Sequence, residues 1–540
     1  MTRSKLIIGL VLASLTAVDF TAAQAQTLAQ GPGQVLPQSA QPAPAAGSFV
    51  LRGVTFKGAT QLSSAELMAL TTGRIGRPVT MTDLDSIAKG VADLYHERGF
   101  FLAKVFVPVQ EVKDGVVEIS VVEGAVNRVI VRLAKDAPIS QDRVTKMLEP
   151  LRPGKPLDGN VYERTVLMLS DMPGIAVQSG LEEGEQPGSV NLVIDIQAAR
   201  RFAASVEADN SGTEESGRER IGVNARLASP LGIGDNLDAR LQLSRGASLW
   251  FGRLAYEAPI GYEGLRAGVG VARAHYDLGA DFEDLDANGT STVYDVSMTY
   301  PLLRSRSQNV FLRAWVDRKN LSDNLDAFDY RTNKRVNGYG IGLSSELRDN
   351  WLGGGYWNIT TSAYAGDLHL RDDLSSAIDA SIFGRQTSGN FVKTTAQVSR
   401  LQALFARNSL FVSVGGQYTT KNLDPSEKLA LGGSRAVRAC SSNEALVDQG
   451  GIATVEYRYA LFDSMSVYGF RDMGWGQLLH DRQPGDRKSA VLRANGLGFT
   501  WSVAGDFTVS STVAWRDTDP GVTDGGDKNP RFYWQLQKLF

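Results

Sequence analysis

Cysteine is nearly absent from this 540-residue chain. Cys440 stands alone, which excludes an internal disulfide and any zinc site built on cysteines. Histidine is almost as scarce: His96, His275, His369 and His480 lie far apart, without the spacing of a metal-ligand set. Neither sign of charge dominates. There are 56 Lys and Arg against 59 Asp and Glu, well mixed, and a net charge of −3 marks no nucleic-acid partner. No G-x-S-x-G elbow and no P-loop occurs. "GYGIG" at 338–342 reads as a strand with one small face and not as a nucleotide-binding turn. No catalytic residue, cofactor or metal is therefore expected. Long apolar runs are missing as well. The run Leu6 to Val18 is too short for a comfortable membrane span, and nothing later approaches the roughly 18 uncharged apolar residues of a transmembrane helix.

What is present begins with Arg3 and Lys5, that short apolar run, and Ala23-Gln24-Ala25. Together they read as a secretory signal peptide, 1–25. Residues 26–48, rich in Pro, Gln, Ala and Gly, read as a linker. From Phe49 a strand candidate is followed by Ser63 and Glu66 at capping-box spacing. Leu84, Ile87, Val91, Leu94 and Tyr95 then share one helical face, which Gly99 closes. Two strands joined by Asp114-Gly115 complete a β-α-α-β-β unit. The same order recurs: a strand at "NRVIVRL", helices over 141–151 and 160–170, then two strands. Tandem α/β domains over 49–124 and 125–198 are the expectation. Pro108 places the second strand of the first unit at a sheet edge, because proline cannot donate to a ladder.

Beyond Arg200 helical periodicity vanishes. Sixteen strand candidates follow, at 201–210, 220–228, 236–244, 248–258, 264–276, 291–300, 309–318, 337–348, 355–366, 389–402, 408–419, 449–461, 464–476, 490–503, 506–516 and 531–540. Connections after odd strands are mostly long and polar, and those after even strands are short. Long outer loops and short periplasmic turns are the asymmetry of a transmembrane barrel, which a soluble sandwich does not need. In the last strand Phe532, Trp534, Leu536 and Phe540 fall on one face and Tyr533, Gln535 and Gln537 on the other. Lys538 interrupts the apolar row, which an interface position tolerates because the side chain can snorkel. Residues 199–540 thus read as a 16-stranded antiparallel β-barrel.

"ERGFFLAKVFVPVQEVKDGVVEISVVEG", "YERTVLMLSDMPGIAV", "ADNSGTEESGRERIG", "PSEKLALGGSRAVRAC" and "ATVEYRYALFDSMSVYGFRDMGWG" occur in this order. Together they resemble the two-partner secretion transporters of the haemolysin/filamentous-haemagglutinin secretor family, within the Omp85 superfamily. The resemblance implies two polypeptide-transport-associated (POTRA) domains in the periplasm and a barrel in the outer membrane of a Gram-negative cell. It implies a partner, a large exoprotein with an N-terminal secretion domain (adhesin, cytolysin or toxin). Contacts with outer-membrane lipid and lipopolysaccharide follow, as does the barrel-assembly machinery during biogenesis. An Omp85-type assembly factor is the rival reading, and such relatives usually carry three or more POTRA domains. A simple diffusion pore would leave both POTRA domains without a purpose.

The resemblance also assigns residues. The family's sixth outer loop folds into the lumen and its Val-Arg-Gly-aromatic motif meets an acid on the wall. Val437 and Arg438 match the loop motif behind the Gly432-Gly433 hinge, and Phe470, Asp472 and Gly474 match the wall motif. Ala439 and Cys440 replace the usual Gly-aromatic pair. Asp472 should face the lumen, since a carboxylate at membrane depth avoids lipid. Arg435 reads as a solvated loop charge, Cys440 as an inert reduced thiol, and Glu456 and Arg458 as lumen charges lining the pore. The POTRA domains are expected to catch the passenger by strand addition at open edges. The candidate edges are Phe101 to Val107 (Phe101, Ala103, Val105, Val107) and Ile175 to Ser179 (Ile175, Val177). Leu94, Tyr95, Leu167 and Leu169 flank them. The prolines of 26–48 argue against a plug helix there.

Overall fold

A computed structural model describes residues 47–186, 188–442, 444–517 and 529–540. The expected signal peptide, the linker up to residue 46 and any plug helix lie outside the described residues. The first domain has a three-stranded sheet, ordered Gly53–Lys57, Val116–Val122 and Lys104–Phe106. Its first pair is parallel and its second antiparallel. Helices Ser64–Ala69 and Met81–Glu97 cover the sheet, and each starts with a capping box, Ser63/Glu66 and Thr80/Asp83. Along the apolar stripe Leu84 and Ile87 pack with Val117 and Ile119, and Val91 packs with Val121, while Leu94 is only partly buried. Beneath the second helix, Glu123 accepts bonds from Thr60 N at 2.5 Å, Gln61 N at 2.8 Å and Tyr95 Oη at 2.8 Å. Burial pushes this carboxyl up, but the bonds outweigh burial and hold it below the usual glutamate range. Its stabilisation is therefore present at neutral pH and fades as pH falls through the lowered folded value.

The expected long edge strand is short. Phe100 N, Phe101 N and Ala103 N donate to Tyr95 O, Gly99 O and Phe100 O, so the helix exit consumes the residues up to Ala103. Phe101 therefore sits exposed in a turn, with its ring centroid 6.4 Å from that of Tyr162, and Ala103 is buried. Pro108 and the partly buried Val107 follow the strand. Only Val105 of the four expected edge residues lies in Lys104–Phe106.

The second domain repeats the arrangement. Strand Ala125–Leu133 runs parallel to Ser189–Ala198, which pairs antiparallel with Ile175–Glu183 at the edge. The helix expected over 141–151 stops at Met147, and a 3₁₀ turn covers Glu149–Leu151. Pro150 explains the break, because its ring clashes with the carbonyl four residues earlier. Helix Gly159–Ser170 lies beside the edge strand, with Tyr162 Oη donating to Ser179 Oγ at 2.8 Å. This domain docks on barrel turns. Arg304 forks onto Asp171 with both contacts at 2.8 Å, Arg164 donates to Pro301 O at 2.8 Å, and Ser229 Oγ to Pro138 O at 2.9 Å.

Sixteen strands close the barrel, with the last paired to the first. They are β1 Phe202–Asp209, β2 Arg220–Ala228, β3 Asn236–Ser244, β4 Leu249–Ile260, β5 Leu265–Asp277 and β6 Ala287–Arg304. Then come β7 Gln308–Leu325, β8 Tyr330–Asp349, β9 Gly355–Leu370, β10 Gly389–Ala403 and β11 Asn408–Thr419. The rest are β12 Gln449–Phe462, β13 Met465–Gln477, β14 Ser489–Val503, β15 Phe507–Arg516 and β16 Arg531–Leu539. Every expected strand is present, most within two residues at each end. The departures are at β6–β9, which extend outward through stretches that read as polar loops. Their polar outer faces conceal inner faces carrying Leu321, Asp323 and Val336, all buried inside the barrel. Period-two strands continue wherever one face is covered, whether or not the other faces lipid. "GYGIG" lies on β8. A Cβ on Gly340 would fall 2.2 Å from the Trp315 ring, and one on Gly338 1.9 Å from Tyr364 Oη, so the small face makes room for two lumen rings. Lys538 meets Asp506 in the β14–β15 turn, at the interface.

This topology gives a direct check. An epitope inserted between Ser381 and Gly384, in the β9–β10 loop, should be reached by antibody on intact cells. One inserted at Phe405, in the β10–β11 turn, should be reached only after the outer membrane is opened. Surface labelling at Phe405 would refute the strand register.

Candidate functional site

Between β11 and β12 the chain turns into the lumen as loop six, residues 420–448. Its tip is a knot and not a hinge. Val437 N donates to Leu431 O at 3.0 Å, Cys440 N to Val437 O at 3.1 Å, and Gly433 N to Cys440 O at 3.0 Å. A Cβ on Gly432 would fall 2.1 Å from Ser441 O, and Gly433 holds a φ of 118°. The two glycines thus permit close crossing and a left-handed backbone, and they do not confer mobility. Val437, Ala439 and Cys440 pack with Phe470, Leu492, Ala494 and Ala514 of the wall. The missing aromatic does not leave the tip loose, since Ala439 and Cys440 are fully buried and Arg531 Nε donates to Ala439 O at 3.1 Å. Gly474 lets the loop approach, because a Cβ there would lie 3.0 Å from Val437 Cγ2.

Arg438 points from this knot at β12 and β13. Its Nε and Nη2 reach the two oxygens of Asp472 at 2.8 and 2.7 Å, and its own backbone N reaches Oδ2 at 3.2 Å. Its Nη1 reaches Glu456 Oε1 at 2.7 Å, and the guanidinium carbon lies 3.4 Å from the Phe470 ring centroid. Thr454 Oγ1 donates to Asp472 at 3.0 Å, and Arg458 Nε donates to Glu456 Oε2 at 2.9 Å. Register explains the convergence: Thr454 lies opposite Asp472 and Glu456 opposite Phe470, on successive inward rungs. Glu456 and Arg458, expected only to line the pore, belong to the cluster itself. Asp472 is fully buried and Arg438 nearly so, a setting where a fork–fork contact and a cation over an aromatic face are strong. Arg435 is exposed.

The loop stem makes a second attachment that the motifs did not announce. Glu427 is gripped from both sides, by Lys319 of β7 at 2.6 Å and Lys393 of β10 at 2.8 Å. Lys334 of β8 meets Asp424 at 3.0 Å and Asp323 at 2.7 Å. Lys428 meets Asp448 at 3.0 Å. Tyr364 completes the floor, with Lys319 Nζ 5.0 Å from its ring centroid and its Oη donating to Asp317 at 2.8 Å. One signal could have found it: Lys319 shares parity with Asp317, and Asp317 lies beside the outward apolar Val316, so alternation turns both charges into the lumen. Loop six is therefore tied at two places, β7, β8 and β10 on one side and β12 and β13 on the other, and crosses the lumen between them. Among the described residues no group of three His, Cys, Asp or Glu side chains is placed to hold a metal.

Comparison with known proteins follows the same lines. Residues 188–500 match the family described as haemolysin secretion/activation protein ShlB/FhaC/HecB, and residues 49–124 match the ShlB-type POTRA domain. The heme/hemopexin transporter protein HuxB of Haemophilus influenzae (strain 86-028NP) is 26% identical, over 88% of this chain and 84% of that protein. The outer membrane transporter CdiB of Dickeya dadantii is 22% identical, over 72% of this chain and 68% of that protein. The structure of CdiB from Escherichia coli superposes with a TM-score of 0.75 at 20% identity, covering 94% of this chain and 93% of that one.

Proposed function

This chain belongs to the ShlB/FhaC/HecB family of haemolysin secretion/activation proteins, and from that premise we propose how its parts export a partner. It is an outer-membrane transporter of the two-partner secretion type, with its POTRA domains in the periplasm. The observation that carries the working mechanism is the loop folded into the lumen and tied to its wall at two places. In the resting state the Arg438–Asp472–Glu456 cluster and the Glu427–lysine cluster hold the path shut. Export requires loop six to leave at least one of them. The partner is a large exoprotein with an N-terminal secretion domain, an adhesin, cytolysin or toxin. The periplasm offers no ATP, so the free energy comes from the passenger folding outside. The barrel itself reaches the membrane through the barrel-assembly machinery and contacts outer-membrane lipid.

Capture occurs by strand addition. Lys104–Phe106 and Ile175–Glu183 are sheet edges, and the second is long enough to bind an extended segment beside helix Gly159–Ser170. Leu94 and Tyr95 pack with Val105, and Leu169 packs with Ile175 and Val177, so the helices support these edges from behind, while Leu167 lies outside that core. Alternate N–H groups of a strand point to opposite neighbours, so Lys104→Pro and Val105→Pro between them remove one outward and one inward donor. One of the two variants should lower secretion while the barrel still inserts and resists heat in detergent gels. Undiminished export from both would move capture to the Ile175–Glu183 edge. The export reading is tested by deleting the gene and following one gene-adjacent exoprotein in the medium alongside the levels of unrelated outer-membrane barrels. Loss of the exoprotein alone supports a transporter, and loss of the barrels supports an assembly factor.

A further inference from the structure

This inference rests on the outer-membrane placement above and concerns the outside of the barrel. Lys319, Leu321 and Asp323 of β7, and Lys334 and Val336 of β8, face the interior, where the two lysines reach the acids of loop six. Alternation therefore turns Arg318, Asn320, Arg331, Arg335 and Asn337 outward. Register stacks them in rungs. Val316 lies opposite Tyr339, both well exposed, and this is the last apolar rung. Above it come Arg318 opposite Asn337, Asn320 opposite Arg335, Ser322 opposite Asn333 and Asn324 opposite Arg331.

In three of these rungs the arginine Nε donates to the asparagine Oδ1, at 2.8 Å for Arg318–Asn337, 3.3 Å for Arg335–Asn320 and 3.0 Å for Arg331–Asn324. A neutral amide orients the guanidinium without cancelling its charge, and the bond uses Nε and not the two terminal nitrogens. The outward Arg471 of β13 is different, because its charge is matched by Asp517 at 2.8 Å. The basic face widens sideways. Pairing places Arg273, Thr292, Asn320, Arg335 and His369 in one row across β5 to β9. Carboxylates border the face as well: Asp367 is paired with Asn337, Asp277 contacts His275 at 3.2 Å, Asp372 accepts from Asn333 N at 2.6 Å, and Asp326 accepts from Asn288 Nδ2 at 2.7 Å, none of them bonded to the three ladder arginines.

Arg318 and Arg335 are diagonal neighbours, about 7–8 Å apart at the backbone, a spacing one phosphate can bridge. They begin one rung above an apolar band that includes Tyr294, Val316, Tyr339 and Ile341. We infer that this arginine–asparagine ladder binds the phosphorylated headgroup of an outer-leaflet glycolipid, whose acyl chains lie on the band below. Charge complementarity selects a phosphate, and continuity with the band selects a lipid over a soluble anion. The bidentate fork suits phosphate better than a lysine would.

The test titrates full-length protein in detergent with bisphosphorylated lipid A and follows bound lipid by native mass spectrometry. Wild type should bind saturably. The R318Q/R331Q/R335Q variant should bind about tenfold more weakly or worse, as expected for lost charged hydrogen bonds. R471Q should be unchanged. Should the triple variant fail to insert, R318Q and R335Q singly should each show a weaker version of the same loss. Wild-type binding by the triple variant, or by both single variants where those are used, or equal binding of dephosphorylated lipid A by wild type, overturns the inference. So does displacement of lipid A by inorganic phosphate or heparin at comparable concentration, which would assign the ladder to soluble anions. Failure of the export reading would appear separately, as exoprotein secretion that persists without this chain.

Discussion

Arg438→Ala should leave the barrel inserted and heat-resistant and reduce secretion close to background. The substitution strips Asp472 of a bidentate partner and Glu456 of one of its two arginines, while Thr454 and Arg458 remain. Removing one partner of a buried pair costs roughly 3–5 kcal/mol locally, because the charge left behind stays desolvated. The barrel tolerates this loss, since its own ladder closes it, but the loop tip does not. Asp472→Ala should be milder, because Arg438 keeps Glu456 at 2.7 Å. Two arginines and two acids make the cluster neutral, so the Arg438→Ala/Asp472→Ala double variant restores balance and should secrete no worse than Arg438→Ala alone. Defects that add fully in this double-mutant cycle would show that the two side chains do not act together.

Glu427→Gln should open the pore. The carboxylate is buried and lies between Lys319 and Lys393, so the amide leaves two ammonium groups facing one another with no acid between them. At the cost expected for a broken buried pair, the equilibrium between seated and displaced loop should shift by roughly a hundred- to a thousandfold. Planar bilayers should record markedly more frequent open events than for wild type, with unchanged heat resistance of the barrel. Lys319→Met on a Glu427→Gln background should recover part of the quiet behaviour, because it removes one of the two facing cations. Wild-type conductance from Glu427→Gln would mean that the Arg438 cluster alone seats the loop.

Much of this protein is legible without coordinates. Binary alternation in residues 201–540 determines sixteen strands, because a lipid face and a wet face demand period two. Parity alone turns Asp472 inward. The capping pair Ser63 and Glu66 and the stripe from Leu84 to Val91 place the first domain's helices, since caps and stripes act within a few residues of one another. Pro108 likewise announces an edge. What alternation cannot tell is where a strand stops once its outer face is polar. The ends of β6 to β8 were set from inside the barrel, where Leu423 of loop six packs on Val336, Lys334 joins Asp323 to Asp424, and Leu278, Phe282 and Leu285 of the β5–β6 connection gather with Leu321. Nor could local pattern shorten the edge at Lys104–Phe106, because the bonds from Tyr95, Gly99 and Phe100 that consume its first residues belong to the helix exit. The lysines of β7, β8 and β10 lie roughly 30 to 110 residues from Asp424 and Glu427, and no spacing rule connects them. Only closing the sheet into a barrel, with the loop folded into it, brings those charges within bonding distance, because the inward faces of three separate strands converge on the loop stem only then.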